Sequence, residues 1–448
     1  MKIPRSPPPV EQLAAANHAQ LPVVLQRGAQ PTVNGRYLHW DELQHRKAPT
    51  GLDHAQWWLG IKLARSLQYR ELPLRDTQGR PFVYLLTDRI HEALHRIDSR
   101  AGGLVGMPAQ VTNADTRDRF IVNSLIEEAI TSSQLEGAST TRAVAADMIR
   151  AGRRPRDRSE QMILNNYLAM QSIRRLRDEA LSLPVMLTLH ETLTAATLDD
   201  PQAAGRVQRP TDERVRVWDD RDQSMLYTPP PASALPARLD AMMTFANRES
   251  SDPPFLHPVI HAIVLHFWLA YEHPFFDGNG RTARALFYWA MLRHGYWMFE
   301  FISISRQIKQ APARYARAFL HSETDGNDLT YFILQQIEVI GRAVDDLDAY
   351  IRGKVEQVEA VERILKRAND LNHRQIALLA HAIRHPRATY TVQSHRTSHA
   401  VVYATARADL LKLAELGLLE QRRAGKKKYE FLVPPDVEER IRQFAERR

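Results

Sequence analysis

An apolar stretch, residues 257–272 (HPVIHAIVLHFWLAYE), runs straight into residues 273–284 (HPFFDGNGRTAR). The first is apolar on all sides, which predicts a buried helix over 258–271. The second predicts a turn and then a helix opening at Arg281 and running to 293. Gly278 and Gly280 flank Asn279. Neither carries a Cβ, so the backbone there can approach an anion closely. A helix opening at that point aims its free N–H groups and positive dipole end at the same anion. Arg281 and Arg284, three apart, share a helix face and can fork onto phosphate oxygens. Asp277 is a hard oxygen ligand suited to Mg²⁺, which needs few carboxylates when phosphates supply the rest. His273 has the pKa of a general base near neutral pH. The junction between two helices thus gathers groups that hold a polyphosphate and remove a proton beside it.

This segment resembles the signature of Fic-domain proteins, HPFx(D/E)GNGRxxR, with every specified position filled. The resemblance implies that His273 deprotonates a hydroxyl on a target protein. That oxygen attacks the α-phosphorus of ATP, AMP is transferred and pyrophosphate leaves. It implies Asp277 as the Mg²⁺ ligand, and Gly278, Asn279 and Gly280 as an anion hole. Arg281 then meets the diphosphate, Arg284 holds the γ-phosphate, and Phe275 packs inward to fix the loop. Relatives with Lys or Gly in the acid position do other chemistry, so Asp277 points to metal-dependent nucleotidyl transfer.

Three further segments are read against the same family. Residues 132–137 (SSQLEG) resemble its inhibitory-helix pattern (S/T)xxxE(G/N). Ser132 and Glu136 are four apart and so share a helix face. The resemblance pairs Glu136 with Arg284, inside one chain. Residues 213–227 (ERVRVWDDRDQSMLY) place strand-forming Val215, Val217 and Trp218 before a polar turn, the position of a β-hairpin flap that binds a target backbone by strand addition. Tyr315 is similar to the tyrosine that lines the adenine pocket. His257, His261 and His266 lie on the apolar helix, but no HExxH pattern accompanies them, and they are read as ordinary helix-face residues.

The chain has 448 residues, no cysteine and a net charge of +8. Thiol nucleophiles, disulfides and cysteine-ligated metals are excluded. No apolar run reaches membrane-spanning length, and residues 1–10 lack the apolar core of a signal peptide, so the cytoplasm is expected and no membrane partner. The expected fold is mainly α. It consists of a flexible arm over 1–34, a small α/β extension over 35–109, a Fic helical core with a hairpin flap over 110–335, a linker helix over 336–368 and a winged helix–turn–helix over 369–448. In the last, residues 371–384 (LNHRQIALLAHAIR) form an amphipathic helix with Asn372 as N-cap, residues 391–398 a polar span, and residues 424–428 a basic wing. Ser398, His399, Arg407, Arg422 and Lys426 are candidate DNA contacts.

The function expected is a self-inhibited protein adenylyltransferase using Mg²⁺ and ATP, acting on a Tyr, Thr or Ser hydroxyl of a target protein. Two alternatives stay open: a DNA-binding regulator whose core senses nucleotide, and an enzyme that removes AMP through the same site. DNA is a candidate partner through the C-terminal region, and a homodimer is left open.

Overall fold

The computed structural model describes residues 3–101, 114–218, 224–367, 370–385, 388–399, 401–423 and 429–446. The chain divides into two compact units, Met1–Gly103 with Ser124–Val344, and Leu104–Asn123 with Asp345–Arg448. The fold is mainly helical with a few short antiparallel strand pairs. Among the described residues no helix is long and apolar enough to cross a membrane.

The N-terminal segment corrects the expectation of a flexible arm. Helices α1 (Val10–Ala16) and α2 (Leu21–Gly28) form there. Pro9 caps α1 and Pro22 sits in the first turn of α2, where a missing N–H costs nothing. Leu13 and Val24 are buried in one apolar cluster with Trp57, Trp58 and Ile61. A short helix, α3 (Trp40–Leu43), leads to α4 (His54–Ser66), which supplies those tryptophans and starts at a capping box between Asp53 and Gln56. Proline-rich composition concealed apolar residues at helical spacing.

Strand β1 (Arg70–Arg75) pairs antiparallel with β2 (Pro81–Tyr84). The charges and proline of RELPLR mask the alternation of β1. Next come α5 (Asp88–Ala101), α6 (Ala114–Leu135), α7 (Arg142–Ala151), α8 (Arg158–Leu176) and α9 (Leu183–Thr194). The hairpin β3 (Val217–Trp218) and β4 (Met225–Tyr227) follows, then α10 (Leu235–Ala246). Val215 precedes the strand instead of lying in it.

The centre of the first unit is α11 (Pro258–Glu272) packed against α12 (Asn279–Arg293). Both are buried along nearly their whole length, α11 as expected of a helix apolar all round. Helix α12 opens two residues earlier than Arg281. After it come α13 (Ile304–Gln310), α14 (Pro312–Thr324) and α15 (Thr330–Arg367), an unbroken helix of 38 residues that retains Gly353.

The second unit contains α16 (His373–Arg384), β5 (Thr389–Thr391), α17 (Val392–His399), α18 (Tyr403–Glu415), β6 (Glu420–Arg423), β7 (Tyr429–Leu432) and α19 (Val437–Glu446). The strands form one antiparallel sheet in the order β5-β7-β6. Leu379, Leu410, Leu413, Phe431 and Ile441 fill its core. Asn372 caps α16 as read. The expected polar span over 391–398 is instead a strand end and helix α17. The Thr391 and Ser394 side chains each accept the other's backbone N–H, at 3.0 and 2.9 Å, so polar residues that resemble a loop start a helix. Residues 424–428, the expected wing with Lys426, lie outside the described residues.

Candidate active site

The loop between α11 and α12 is held open by its own side chains. His273 ends α11 in the left-handed conformation (φ +47°), its N–H on the Leu269 carbonyl at 2.9 Å. The Asn279 amide spans the turn: Nδ2 donates to the Phe275 carbonyl at 2.9 Å, and Oδ1 accepts from the Phe275 N–H at 3.0 Å. Phe275 is fully buried and stacks on the His190 ring, centroids 3.7 Å apart. His190 Nδ1 accepts from the Gly205 N–H, so Nε2 carries the proton and donates to the Asp277 carbonyl at 2.9 Å. Burial lowers the His190 pKa to about 4 and keeps that tautomer neutral. Gly278 has φ +79°, and a Cβ there would fall 2.7 Å from Thr194 Cγ2. No other residue fits that point.

Arg281 and Arg284 of α12 are buried, 1% and 2% exposed, an expensive location unless each charge finds partners. Arg284 finds them on α6 and just beyond it. Its Nε donates to Ser132 Oγ at 2.9 Å, and Nη2 donates to the Ser132 carbonyl at 3.0 Å and to Glu136 Oε1 at 2.8 Å. Glu136 itself lies in the turn after α6, before Gly137 at φ +94°. Burial would raise its pKa, but the Arg284 guanidinium outweighs that and holds it below the usual value, so the pair is ionic. Its carboxylate covers Gly280 so closely that a Cβ there would lie 2.3 Å from Oε1.

Arg281 is different. Nη1 donates to the Leu193 carbonyl at 2.9 Å, and Nη2 lies 3.6 Å from Asp277 Oδ2. Among the described residues its Nε and Nη2 have no hydrogen-bond partner despite complete burial. Asp277, with its side chain 46% exposed, stands beside them. Among the described residues no three acidic, His or Cys side chains cluster as a ready metal cage. One carboxylate suits a cation whose remaining ligands are phosphate oxygens, and the unsatisfied guanidinium suits the phosphate itself. Burial is the main cause that lowers the His273 pKa to about 4, assisted by Arg214 and opposed by Glu136 and Asp277.

Several groups holding this geometry were not found in the sequence. Arg214 donates to the His273 carbonyl at 2.8 Å and to the Glu272 carbonyl at 2.5 Å, closing the end of α11. Glu128 is buried on α6 and accepts from Tyr288 Oη at 2.8 Å, Ser303 Oγ at 2.7 Å, and the Ser305 N–H and Oγ at 3.1 and 2.5 Å. It stands four residues before Ser132, which stands four before Glu136, so a face pattern was available. His190 and Arg214 gave no such signal, being 83 and 59 positions from His273.

The hairpin is tethered beside the loop: Tyr227 Oη donates to the Tyr271 carbonyl at 2.9 Å, and Trp218 is 47% exposed. Tyr315 on α14 bonds His266 Nε2 at 2.8 Å and packs against Phe319. His257 caps α11, and His261 contacts the Phe245 carbonyl. In the second unit Ser398 and His399 end α17 and do not open the next helix. Arg407 is exposed on α18 and Arg422 is exposed on β6.

Residues 180–291, covering α9 through the motif to most of α12, match the Fic/DOC family. The chain carries a Fic domain. It is 28% identical over 211 residues to a protein adenylyltransferase Fic of Nematostella vectensis, covering 46% of this chain and 45% of that one. It is 39% identical over 70 residues to the protein of the same name from Drosophila grimshawi, 16% of this chain and 14% of that one. The chain therefore spans less than half the length of these curated relatives. A crystal structure of a Fic family protein from Desulfovibrio desulfuricans is similar in fold, with a TM-score of 0.52 at 17% identity, over 79% of this chain and 98% of that one. The Fic match ends before Tyr315 and starts after Glu136, so both residues depend on the geometry above.

Proposed function

We propose that this chain is a self-inhibited protein adenylyltransferase that moves AMP from ATP to a hydroxyl of a protein substrate. The observation that carries the reading is the start of α12. There two guanidinium nitrogens of Arg281 have no hydrogen-bond partner among the described residues beside Asp277, while Arg284 is occupied by Ser132 and Glu136. His273, neutral at working pH, takes the proton from a target Tyr, Thr or Ser hydroxyl. The oxygen forms a bond to the α-phosphorus as the bond to pyrophosphate breaks. The N–H groups at the start of α12 and the Arg281 side chain face the charge that leaves. Asp277 would hold Mg²⁺, which neutralises phosphate oxygens when bound. The hairpin, with exposed Trp218 and Met225 near the loop, would offer its edge to the target backbone.

Glu136 supplies the restraint. A γ-phosphate and the Glu136 carboxylate compete for Arg284, so nucleotide that enters beside an intact pair is misplaced for attack. Removal of AMP would use the same groups, with Glu136 orienting water. The second unit we read as a winged helix that meets DNA phosphates through Arg407, Arg422 and the basic segment containing Lys426.

The test is incubation of wild type and His273→Ala with α-labelled ATP and Mg²⁺. Wild type should label itself or an added protein, and His273→Ala should not, while ATP binding survives. Labelling by His273→Ala at the wild-type rate overturns the mechanism.

A further inference from the structure

A cavity of about 180 Å³ lies where α14 and α15 meet the segment after α2 and the start of α5. It is smaller than the ~300 Å³ at which pockets for drug-sized ligands begin, and it shares no wall residue with the motif loop. Its wall is cationic. Arg36, Arg89, Arg314 and Arg317 stand against only Glu42 and Glu338, an excess of two positive charges. Glu338 is already engaged: Arg314 meets it through both terminal nitrogens at 3.2 and 3.0 Å, and Arg89 stands 3.7 Å away. Arg36 and Arg317 have no ion-pair partner among the described residues. The wall also includes His321, only 7% exposed, whose Nε2 has no hydrogen-bond partner among the described residues. Its ring is fixed by stacking on His39 at 4.2 Å, nearly parallel.

A buried nitrogen without a partner is costly unless something in the cavity takes it. Guanidinium forks in the same wall as such a residue match one ligand chemistry: a small dianion with several oxygens. We propose that this cavity binds a small phosphate-bearing anion, giving the N-terminal extension a binding role apart from the catalytic loop. Arg36 and Arg317 grip its oxygens, Arg314 and Arg89 add charge from their places on Glu338, and His321 Nε2 makes the buried contact. Arg314 and Arg317 lie on the same helix as Tyr315, the residue read as lining the adenine pocket in the proposed function on which this link rests.

The experiment is calorimetric titration of the full chain with inorganic phosphate, and separately with AMP. The variants are Arg36→Gln with Arg317→Gln, and Arg281→Gln at the catalytic loop. Expected is a binding event that Arg281→Gln leaves in place and the double variant weakens by ~10-fold or more for each arginine lost. Phosphate binding alone identifies the free ion as sufficient; AMP binding alone identifies a nucleotide as the carrier. No saturable event with either probe overturns the proposal, as does an event that only Arg281→Gln removes. Arg36 and Arg317 are exposed, so thermal unfolding of the unliganded double variant should match wild type. Should it fall, the single Arg36→Gln variant is read in its place.

Discussion

Arg284 has two competing uses at one guanidinium. In the structure it is saturated by Ser132 and Glu136, and only release of the Glu136 contact at 2.8 Å would leave it for a phosphate. A charge-assisted pair of this kind is worth ~1.5–3 kcal/mol, or roughly ten- to hundredfold in rate. Glu136→Gly should therefore raise self-labelling by about that factor, and adding Arg284→Ala should cancel the gain. Unchanged labelling in Glu136→Gly would make the pair structural, unless the same variant also fails to release AMP from a premodified protein, which selects the removal reading. The base gives a second test. Transfer needs neutral imidazole, and burial lowers the His273 pKa to about 4, so the base is neutral above that value. The rate of Glu136→Gly should thus stay level as pH falls from 8 to about 5. A bend between 6 and 7 would show that His273 titrates normally.

At the scale of elements, Glu128 helps fasten α6, the helix that places Ser132 and leads into Glu136. That buried carboxylate takes four donors from Tyr288, Ser303 and Ser305. Glu128→Gln keeps the shape but removes the charge and leaves one donor facing another. It should lower stability by ~1–3 kcal/mol and loosen α6, so basal labelling rises toward that of Glu136→Gly. A thermal melt and a labelling assay on one preparation measure both; a stability loss with labelling unchanged would separate the anchor from the inhibition. Helix α18 and strand β6 carry the other element-scale test. Arg407→Ala with Arg422→Ala in the full chain should weaken DNA retention and flatten its salt dependence by about one counterion per arginine. DNA retention with the same slope as wild type would assign those residues elsewhere.

Across the molecule, burial makes the histidines a common liability to acid. His190, His261 and His321 are each lowered to about 4, and His266 to about 3, chiefly by burial. In the unfolded chain each protonates near its ordinary value of 6.5. As pH falls from about 6.5 toward 4, the unfolded chain binds protons that the folded chain refuses, so stability falls over that window. At pH 5 each imidazole accounts for up to ~2 kcal/mol of that loss. Melting temperature should drop clearly between pH 7 and pH 5, and His261→Gln should reduce the drop. A pH-independent melt would mean these rings take up protons without opening the fold.

What could be read along the chain was local: the apolar run of α11, the glycine-flanked turn, the arginines three apart, the Asn372 cap. Each depends on neighbours within a few residues, where periodicity and conformational preference act directly. The reading failed at the N-terminus, where prolines hid α1 and α2, and at 391–398, where capping polar residues passed for a loop. Apart from the Glu136–Arg284 pair, which the family resemblance implied, contacts across long separations came from tertiary packing. Arg284 meets Ser132 over 152 positions, and His190 meets Asp277 over 87. Neither pairing leaves a spacing in the sequence, because the chain between them sets distance through the fold and not through residue count. The histidine's depressed pKa and the unsatisfied guanidinium of Arg281 have the same origin: both follow from water being excluded, and exclusion is a property of the packed helices around them.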